Sequence, residues 1–465
     1  MTGIDRQRRR GRVLCVAVLV AAMGVLAPVQ AQSPKAGQAW TEGSPRQAMV
    51  VMDFAVYFDG QPKASPVATL RALHARLPAA PQWVDKVPTS APSKPTMLVQ
   101  LVTDLPRQLP IPSPQHIAYF GRGLDAQQAA ALQASKQALL VVFFHPGTEA
   151  MARYRPAMAL LAETAAQTGG TLWDGNTREA FSLPAWRESR LQAWEGAVPL
   201  VRAHTVIHAY KADRGVRAIT LGMNKFGMPD VVVDAFAWSD QRAMGNLLQL
   251  SAQRLVEGQA IGPGGRWRLD VNEVRHAGMR AEARQSLIAE GSGRTELRLV
   301  GGRRDEGDPD NALAELSFDG HPGADHAARQ HSALARMYGS GEKEVRLVRH
   351  DAALKAASER ARAQLPALRE AFRKGLAPGE FIQLKAPFAT DDGGTEWMWV
   401  EVLAWEGDRV RGLLKNEPRQ VARLQAGQEV TISQKDVFDY WRLDARGQAS
   451  GNETGKLIDA AQRAR

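Results

Sequence analysis

Cysteine is almost absent from this sequence, because Cys15 is the only one among 465 residues. A single cysteine cannot form a disulfide within the chain, so stability must come from hydrophobic cores, which a chain of this length can supply. Aromatic residues make up only 6% of the chain, and we find no internal repeat or low-complexity tract. A hydrophobic content of 44% and a charged content of 23% exclude a mainly disordered or multi-span membrane protein.

Several catalytic motifs are also missing. The sequence has no G-x-S-x-G elbow and no H-E-x-x-H motif. Gly451–Leu457 imitates a P-loop but is one residue short and lacks a hydroxyl after Lys456. Gly121–Ala126 fits the G-x-G-x-x-A pattern of a dinucleotide loop, but no acidic residue ends the next strand. We therefore expect no nucleotide, no other cofactor and no metal.

The positive charge is modest and is not concentrated in one run. Residues 1–31 hold five arginines and one acid and so contribute +4 of the total +10, which leaves +6 on the remaining 434 residues. In the most basic stretch, residues 273–298, arginines alternate with glutamates, which is typical of a solvated surface. The charge pattern does not indicate a nucleic-acid partner, because phosphate binding needs positive charge concentrated on one face.

The N-terminus has the order of a secretory signal peptide. Five arginines between positions 6 and 12 precede the apolar run 13–27, and Val29-Gln30-Ala31 supplies small residues for cleavage after Ala31. The run is shorter than the ~20 residues of a spanning helix, although an uncleaved anchor is the alternative. Cys15 lies at the start of the apolar run, whereas the lipobox cysteine of a lipoprotein would lie at its end. We expect an exported bacterial protein, periplasmic or secreted, with no stable membrane span after cleavage.

Strand and helix patterns alternate along the rest of the chain and predict a mixed α/β, or α+β, fold with several domains. Val50–Phe58 and the continuous apolar run Ala138–Phe144 predict buried strands. We predict a further short strand over His116–Phe120 and helices capped by Thr148 and Ser239. The predicted parts are a polar leader at 32–47, a layered sheet-and-helix domain at 48–262, a small α+β region at 263–341 and a β-rich C-terminal domain with a leading helix at 342–465.

Two groups of motifs carry a resemblance to known proteins. The C-terminal motifs are Gly379–Phe388, Glu396–Val402, Gly412–Pro418, Asp439-Tyr440-Trp441 and Gly451–Thr454. This last fifth of the chain resembles the bacterial YegJ-type domain of unknown function. The N-terminal motifs Trp173–Phe181 and Thr220–Asp230 are similar to regions of longer proteins that carry that domain. The resemblance implies no reaction, cofactor or ligand.

The C-terminal motifs also supply candidate binding residues. In the predicted strand 395–403, alternation places Trp397, Trp399 and Glu401 on one face. The structural alternative is that both tryptophans fill the core of a small domain, because tryptophan buries a large apolar area. Turn-forming and aromatic motif residues complete the C-terminal candidates, which are Asn416, Glu417, Asp439, Trp441 and Asn452.

The N-terminal candidates are polar residues at strand ends and turns. Asp174 and Arg178 lie on a Trp-Asp-Gly-Asn turn, where loop residues on a rigid scaffold can bind ligands but can also simply shape the turn. His145 ends a buried strand, a position that favours ligands in α/β sheets. His204 and His208 would share a metal only on a helix, and their β-branched neighbours favour a strand.

These observations lead to two hypotheses of different class. The first is a non-catalytic binding or protein-interaction protein of the cell envelope, whose partner is an unknown protein or small molecule. The alternative is a metal-independent hydrolase that uses His145 with an acid such as Asp174. An enzyme needs a positioned base with an orienting partner, and the sequence shows no such pair, which favours the first hypothesis.

Overall fold

The protein forms three large β-sheets with helices packed around them. The computed structural model describes residues 34–457 except 89, 213–214, 289–290, 340–351, 378 and 392. The predicted signal peptide, the first residues of the predicted C-terminal domain at 342–351 and the segment from residue 458 lie outside the described residues. The predicted mixed α+β class is confirmed, and no helix of the described part is long and apolar enough to cross a membrane.

The first sheet is built around the two apolar strands that the sequence predicts. Its seven strands lie in the order β2-β3-β5-β1-β6-β7-β4. The strands β1 and β5 are antiparallel over ten residue pairs, and both are long apolar runs, so the sheet is buried on both faces. The strands are β1 Met49–Phe58, β2 Gln82–Val84, β3 Thr96–Val102, β4 Gly121–Arg122, β5 Gln137–Pro146, β6 Thr171–Asp174 and β7 Glu179–Phe181.

Helices cover both faces of the first sheet. They are α1 Pro66–His74, α2 Leu105–Gln108, α3 Pro114–Phe120, α4 Ala126–Gln133, α5 Ala150–Thr168 and α6 Leu183–Trp186, followed by a π-helix at Arg187–Gln192 and the short pair β8 Trp194–Glu195 and β9 Val198–Pro199. The predicted strand His116–Phe120 is wrong, because this segment is helix α3. The Ser113 side chain accepts the His116 N–H and Pro114 occupies the first turn, two start signals that outweigh the short apolar run.

The second sheet has six strands in the order β10-β11-β12-β15-β14-β13. Strands β12 and β15 are parallel neighbours in this sheet, although they lie on opposite sides of Gly262 in the sequence. The sheet therefore includes residues from both sides of the domain boundary that we predict at this glycine. The bounds are β10 Val206–Lys211, β11 Val216–Leu221, β12 Asp230–Phe236, β13 Arg266–Asp270, β14 Arg294–Gly301 and β15 Leu313–Ser317, with helices α7 Gln241–Val256, α8 Ala277–Gln285 and α9 His326–Tyr338. The predicted caps Thr148 and Ser239 do not act as helix caps. Glu149 and Asp240 directly precede α5 and α7, and neither makes a side-chain capping bond.

Residues 34–47 of the predicted polar leader form an arm that connects the first two sheets. Trp40 donates its backbone N–H to Leu299 and its indole N–H to the carbonyl oxygen of Val300, and only 6% of its surface is exposed. Gly43 and Ile261 exchange two backbone hydrogen bonds. Gln47 donates to the carbonyl oxygen of Met228 just before β1 begins. The arm therefore completes the free edge at the end of β14 and joins the core between the sheets.

A Trp40→Phe variant tests the contribution of this arm. The substitution keeps most of the apolar area but leaves the Val300 carbonyl oxygen without the indole donor, so we expect the free energy of unfolding to fall by about 1–2 kcal/mol. Urea denaturation measures the difference. Trp83→Phe is the control, because that indole donates to Asp85 in an exposed pair and should cost less. An unchanged denaturation midpoint for Trp40→Phe would mean that the indole hydrogen bond adds nothing to stability.

The C-terminal segment has its own sheet and its own core. Six antiparallel strands lie in the order β19-β18-β17-β16-β20-β21, and one face packs Leu365 and Leu368 against Ile382, Met398 and Val400. The predicted leading helix is divided at residue 364. The elements are α10 Ala352–Ala363, α11 Leu365–Lys374, β16 Phe381–Ala389, β17 Thr395–Glu406, β18 Arg409–Leu414, β19 Glu429–Ser433, β20 Asp439–Leu443 and β21 Ala449–Gly451.

Candidate functional site

The two N-terminal motifs meet in a buried ionic cluster between the first and second sheets. Asp174 ends β6, and Lys225 lies in the 3₁₀ turn between β11 and β12. The Lys225 Nζ lies 2.6 Å from Asp174 Oδ2, and neither side chain is exposed. Arg190 on the π-helix places Nη2 2.9 Å from the same oxygen and 3.1 Å from Glu179 Oε2. We call Asp174, Glu179, Arg190 and Lys225 the buried ionic cluster.

The charges of this cluster balance. Two carboxylates face two cations, and Arg190 also donates to the Thr177 hydroxyl and the Ala203 carbonyl oxygen. Burial alone would raise the pKa of Asp174, but the charges of Lys225 and Arg190 outweigh it and hold that pKa at about 2. Burial lowers the pKa of Lys225 to about 8, against the attraction of Asp174. Because each charged group already has a partner, the cluster joins the two sheets and offers no open polar group to a ligand.

Arg178 lies on the surface side of the same turn and is also used structurally. Its backbone is left-handed, with φ +59°, and its carbonyl oxygen lies 2.6 Å from His116 Nε2. Its guanidinium group donates to the Gly307 carbonyl oxygen at 3.0 Å. The predicted binding residues Asp174 and Arg178 are therefore neighbours in sequence whose side chains have different partners.

His145 does not meet the acid proposed as its partner. On β1, Val50 is the register partner of His145 and Phe54 that of Asp174. Four residues of strand put the two about 13 Å apart along the sheet. His145 is 1% exposed, and neither ring nitrogen has a hydrogen-bond partner. Burial, with a smaller effect of the Arg153 charge, lowers its pKa to about 4.

The other histidines and glycines singled out in the sequence have structural surroundings. His204 precedes β10 and its Nδ1 lies 3.0 Å from the Tyr154 hydroxyl, while His208 on β10 stacks on Phe120. Among the described residues, no three His, Cys, Asp or Glu side chains are grouped to hold a metal. A Cβ atom on Gly121 would lie 2.5 Å from the Ile117 carbonyl oxygen, so this glycine permits close packing of the chain itself.

The outer face of the third sheet carries an aromatic strip. Alternation along β17 points Met398 and Val400 into the core and leaves Trp397 and Trp399 half-buried on the opposite face. The tryptophans are not among the residues of this core. The Trp397 ring lies 4.6 Å from Phe438, and Lys385 Nζ lies 5.7 Å from the Trp399 ring. We call Lys385, Pro387, Trp397, Trp399 and Phe438 the aromatic strip.

The other predicted C-terminal residues mostly fix the geometry around this strip. Asn416 accepts the backbone N–H of Trp399 at 2.6 Å, which extends the ladder beyond the end of β18. Asp439 is buried and accepts the N–H and hydroxyl of Thr454, while Asn452 forms a left-handed turn with φ +54°. Glu417 is exposed. Glu401 and Trp441 face the N-terminal part of the molecule, with Glu401 only 1% exposed and Trp441 against Phe381.

Sequence reasoning missed six residues of these sites, which are Glu179, Arg190, Lys225, Lys385, Pro387 and Phe438. Lys225 lies inside the motif Thr220–Asp230, where no local pattern marks it as the partner of a distant carboxylate. No sequence pattern indicates the role of Arg190, because that role depends on a π-helix that places the side chain over Asp174. Lys385 and Phe438 join the strip only through the pairing of β16 with β17 and β20.

Comparison with known proteins bears on the third sheet alone. No curated protein and no solved structure matches the chain. One segment of the chain does match a family profile. This segment includes α10, α11 and the whole third sheet, and therefore the complete aromatic strip. Residues 351–461 match the sequence profile of a family described as an uncharacterized protein conserved in bacteria, DUF2314.

Proposed function

We propose that this protein is a non-catalytic binding protein of the bacterial cell envelope and that its aromatic strip contacts a partner protein. The proposal includes export by a signal peptide cleaved after Ala31, with no stable membrane span afterwards. We also propose that residues 342–465 form a separate domain of the YegJ type. The preceding part is then the region that accompanies such domains in longer proteins.

The aromatic strip is the observation that carries the proposal. Two tryptophans and a phenylalanine lie half-buried on a sheet face, although burying them in the domain core would have stabilised it. Tryptophan is enriched among the residues that dominate binding energy at interfaces, because one rigid side chain supplies a large contact area. Asn416 and the β16–β17 ladder hold the strip on a fixed scaffold.

The surroundings of the strip favour a protein over a small molecule as partner. The same sheet face continues into Glu401 and Trp441, and there it already contacts another part of the polypeptide. A sheet face is an open surface, whereas small-molecule sites are concave and enclose most of the ligand. We therefore expect the partner to lie across the strip and extend the contact that the chain makes with itself.

The hydrolase alternative has less support. A general base needs an orienting partner within hydrogen-bond reach, and His145 has none while Asp174 is held by Lys225 and Arg190. An enzyme based on His145 would also require access to a side chain that is 1% exposed. Loss of a measured turnover in a His145→Ala variant that remains folded would reverse this judgement.

Site-specific photocrosslinking in the periplasm tests the proposal. With a photoreactive benzophenone amino acid in place of Pro387, which lies opposite Trp397 in the strip, we expect a discrete adduct with a second polypeptide. The adduct should disappear when Trp399→Ala is added. The same photoreactive residue in place of Tyr119, which is 69% exposed and far from the strip in sequence and sheet, is the matched control. Equal adducts at both positions, or none at the strip, would contradict the proposal.

A further inference from the structure

The outer face of the third sheet already holds a short acidic segment of the same chain. The segment is Ser239-Asp240, at the start of α7. Glu401 Oε1 accepts the backbone N–H of Ser239 at 3.0 Å. Lys415 Nζ lies 3.2 Å from Asp240 Oδ1 and 3.7 Å from Glu401 Oε2.

This contact is polar and largely withdrawn from water. The side chains of Glu401, Lys415 and Asp240 are 1%, 14% and 22% exposed. Among the described residues, Lys415 is the cation that lies between these two carboxylates, and removing it would leave both acids facing each other. The charges of Asp240 and Glu401 outweigh the effect of burial and raise the pKa of Lys415, so the lysine stays protonated. Recognition of Asp240 therefore depends on Lys415.

Lys415 belongs to the same surface as the aromatic strip. Its backbone N–H donates to the Trp399 carbonyl oxygen at 2.8 Å, so it lies beside Trp399 on the β18 side. Lys385 is the register partner of Trp399 on the β16 side. Trp399 is thus flanked by two lysines. Asp439 faces Lys385 but is buried and accepts two hydrogen bonds from Thr454.

Charge complementarity then specifies the partner. We propose that the aromatic strip recognises an acidic polypeptide segment, that a carboxylate of this segment pairs with Lys415, and that Ser239-Asp240 is a resident competitor for the same lysine. The inference rests on the proposed function and adds to it the chemistry of the partner and a form of regulation. A partner must displace Asp240 to reach Lys415, so the cis contact lowers the affinity of the free chain.

Other contacts of this junction lie outside the pairing of Lys415 with Asp240. Trp441 and Leu443 pack against the core that lies between the first two sheets, and Asp325 accepts the backbone N–H of Glu429. Gln425 accepts the backbone N–H of Ala324. Interfaces between domains of one chain resemble transient protein interfaces, and polar contacts of this kind can be exchanged.

A peptide added to the full mature chain tests the inference. The probe is the synthetic peptide of residues 234–245, which contains Ser239-Asp240, and its matched control carries lysine at the position of Asp240. Isothermal titration calorimetry compares the wild-type chain with Asp240→Asn and with two double variants in which Lys415→Met or Lys415→Arg is added to Asp240→Asn. Asparagine is a good residue before a helix, so Asp240→Asn should fold. Lys435→Met removes an exposed lysine of the same domain and is the control.

We expect the acidic peptide to bind Asp240→Asn at least roughly tenfold more tightly than it binds the wild-type chain, because a charged hydrogen-bonded competitor has been weakened. When added to Asp240→Asn, Lys415→Met should abolish this gain in affinity and Lys415→Arg should retain it. The Lys435→Met control should bind the acidic peptide as the wild-type chain does, and the lysine-containing peptide should not bind. Equal affinity of both peptides for Asp240→Asn, or equal affinity of the acidic peptide for Asp240→Asn with and without Lys415→Met, would overturn the inference. If Pro387 crosslinks a partner in a Trp399-dependent but Lys415-independent manner, the proposed function holds and this inference fails.

Discussion

Replacing Asp174 with asparagine is expected to lower the free energy of unfolding by about 3–5 kcal/mol. The substitution keeps the shape of the side chain but removes the carboxylate that pairs with both Lys225 and Arg190. Two buried cations would then share Glu179 as their only carboxylate in the cluster. Chemical denaturation of the purified mature chain, followed by far-ultraviolet circular dichroism, measures the change.

An exposed acid provides the control for Asp174→Asn. Asp104 is 45% exposed and lies 3.9 Å from Arg107, so Asp104→Asn should leave the denaturation midpoint nearly unchanged. The two roles considered for Asp174 predict different results. If Asp174→Asn unfolds at the wild-type midpoint but weakens partner binding, then Asp174 is a binding residue and the structural role assigned to the buried ionic cluster is wrong.

Replacing His145 with leucine is expected to stabilise the protein most strongly in acid. The pKa of His145 is lowered to about 4 in the folded protein from 6.5, so between these values the unfolded chain binds the proton and the folded chain does not. Stability is therefore lost as the pH falls from about 6.5 to about 4, by about 3 kcal/mol in total. Leucine cannot be protonated, and it also removes two buried ring nitrogens that lack hydrogen-bond partners.

The measurement is the urea midpoint of wild type and His145→Leu between pH 8 and pH 4. We expect the advantage of the variant to grow as the pH falls. His74→Leu controls for the loss of a histidine that has a partner, since His74 Nε2 lies 2.8 Å from the Pro81 carbonyl oxygen. Parallel pH profiles for wild type and His145→Leu would show that His145 is not held neutral by burial, and would reopen its candidacy as a base.

The regular parts of the fold could be predicted because their signals are local. The strands β1 and β5 are long apolar runs, and alternation along β17 correctly placed Trp397 and Trp399 together on one face. Helix α3 was missed because its short apolar segment also fits a strand, and the cap at Ser113 decided the outcome. The arm around Trp40 was missed because its composition is mostly polar. No local pattern indicates that its one tryptophan anchors it to β14.

The sites could be predicted only in part because their partners are distant in sequence. The two N-terminal motifs were identified, but their meeting depends on how the first two sheets pack, and Arg190 reaches Asp174 only through a π-helix. Glu401 was identified by alternation beside the tryptophans. Its partner Ser239 lies 162 residues earlier in the chain, and no local pattern indicates that contact.

The central claim is that the aromatic strip binds a partner protein, and native mass spectrometry of the mature chain recovered from the periplasm tests it most directly. We predict that the wild-type chain and a Tyr119→Ala control carry a second polypeptide, and that a chain with Trp397→Ala and Trp399→Ala does not. Equal recovery of that polypeptide with the double variant would contradict the claim. So would a small molecule or metal that is retained by all three chains while no polypeptide is found.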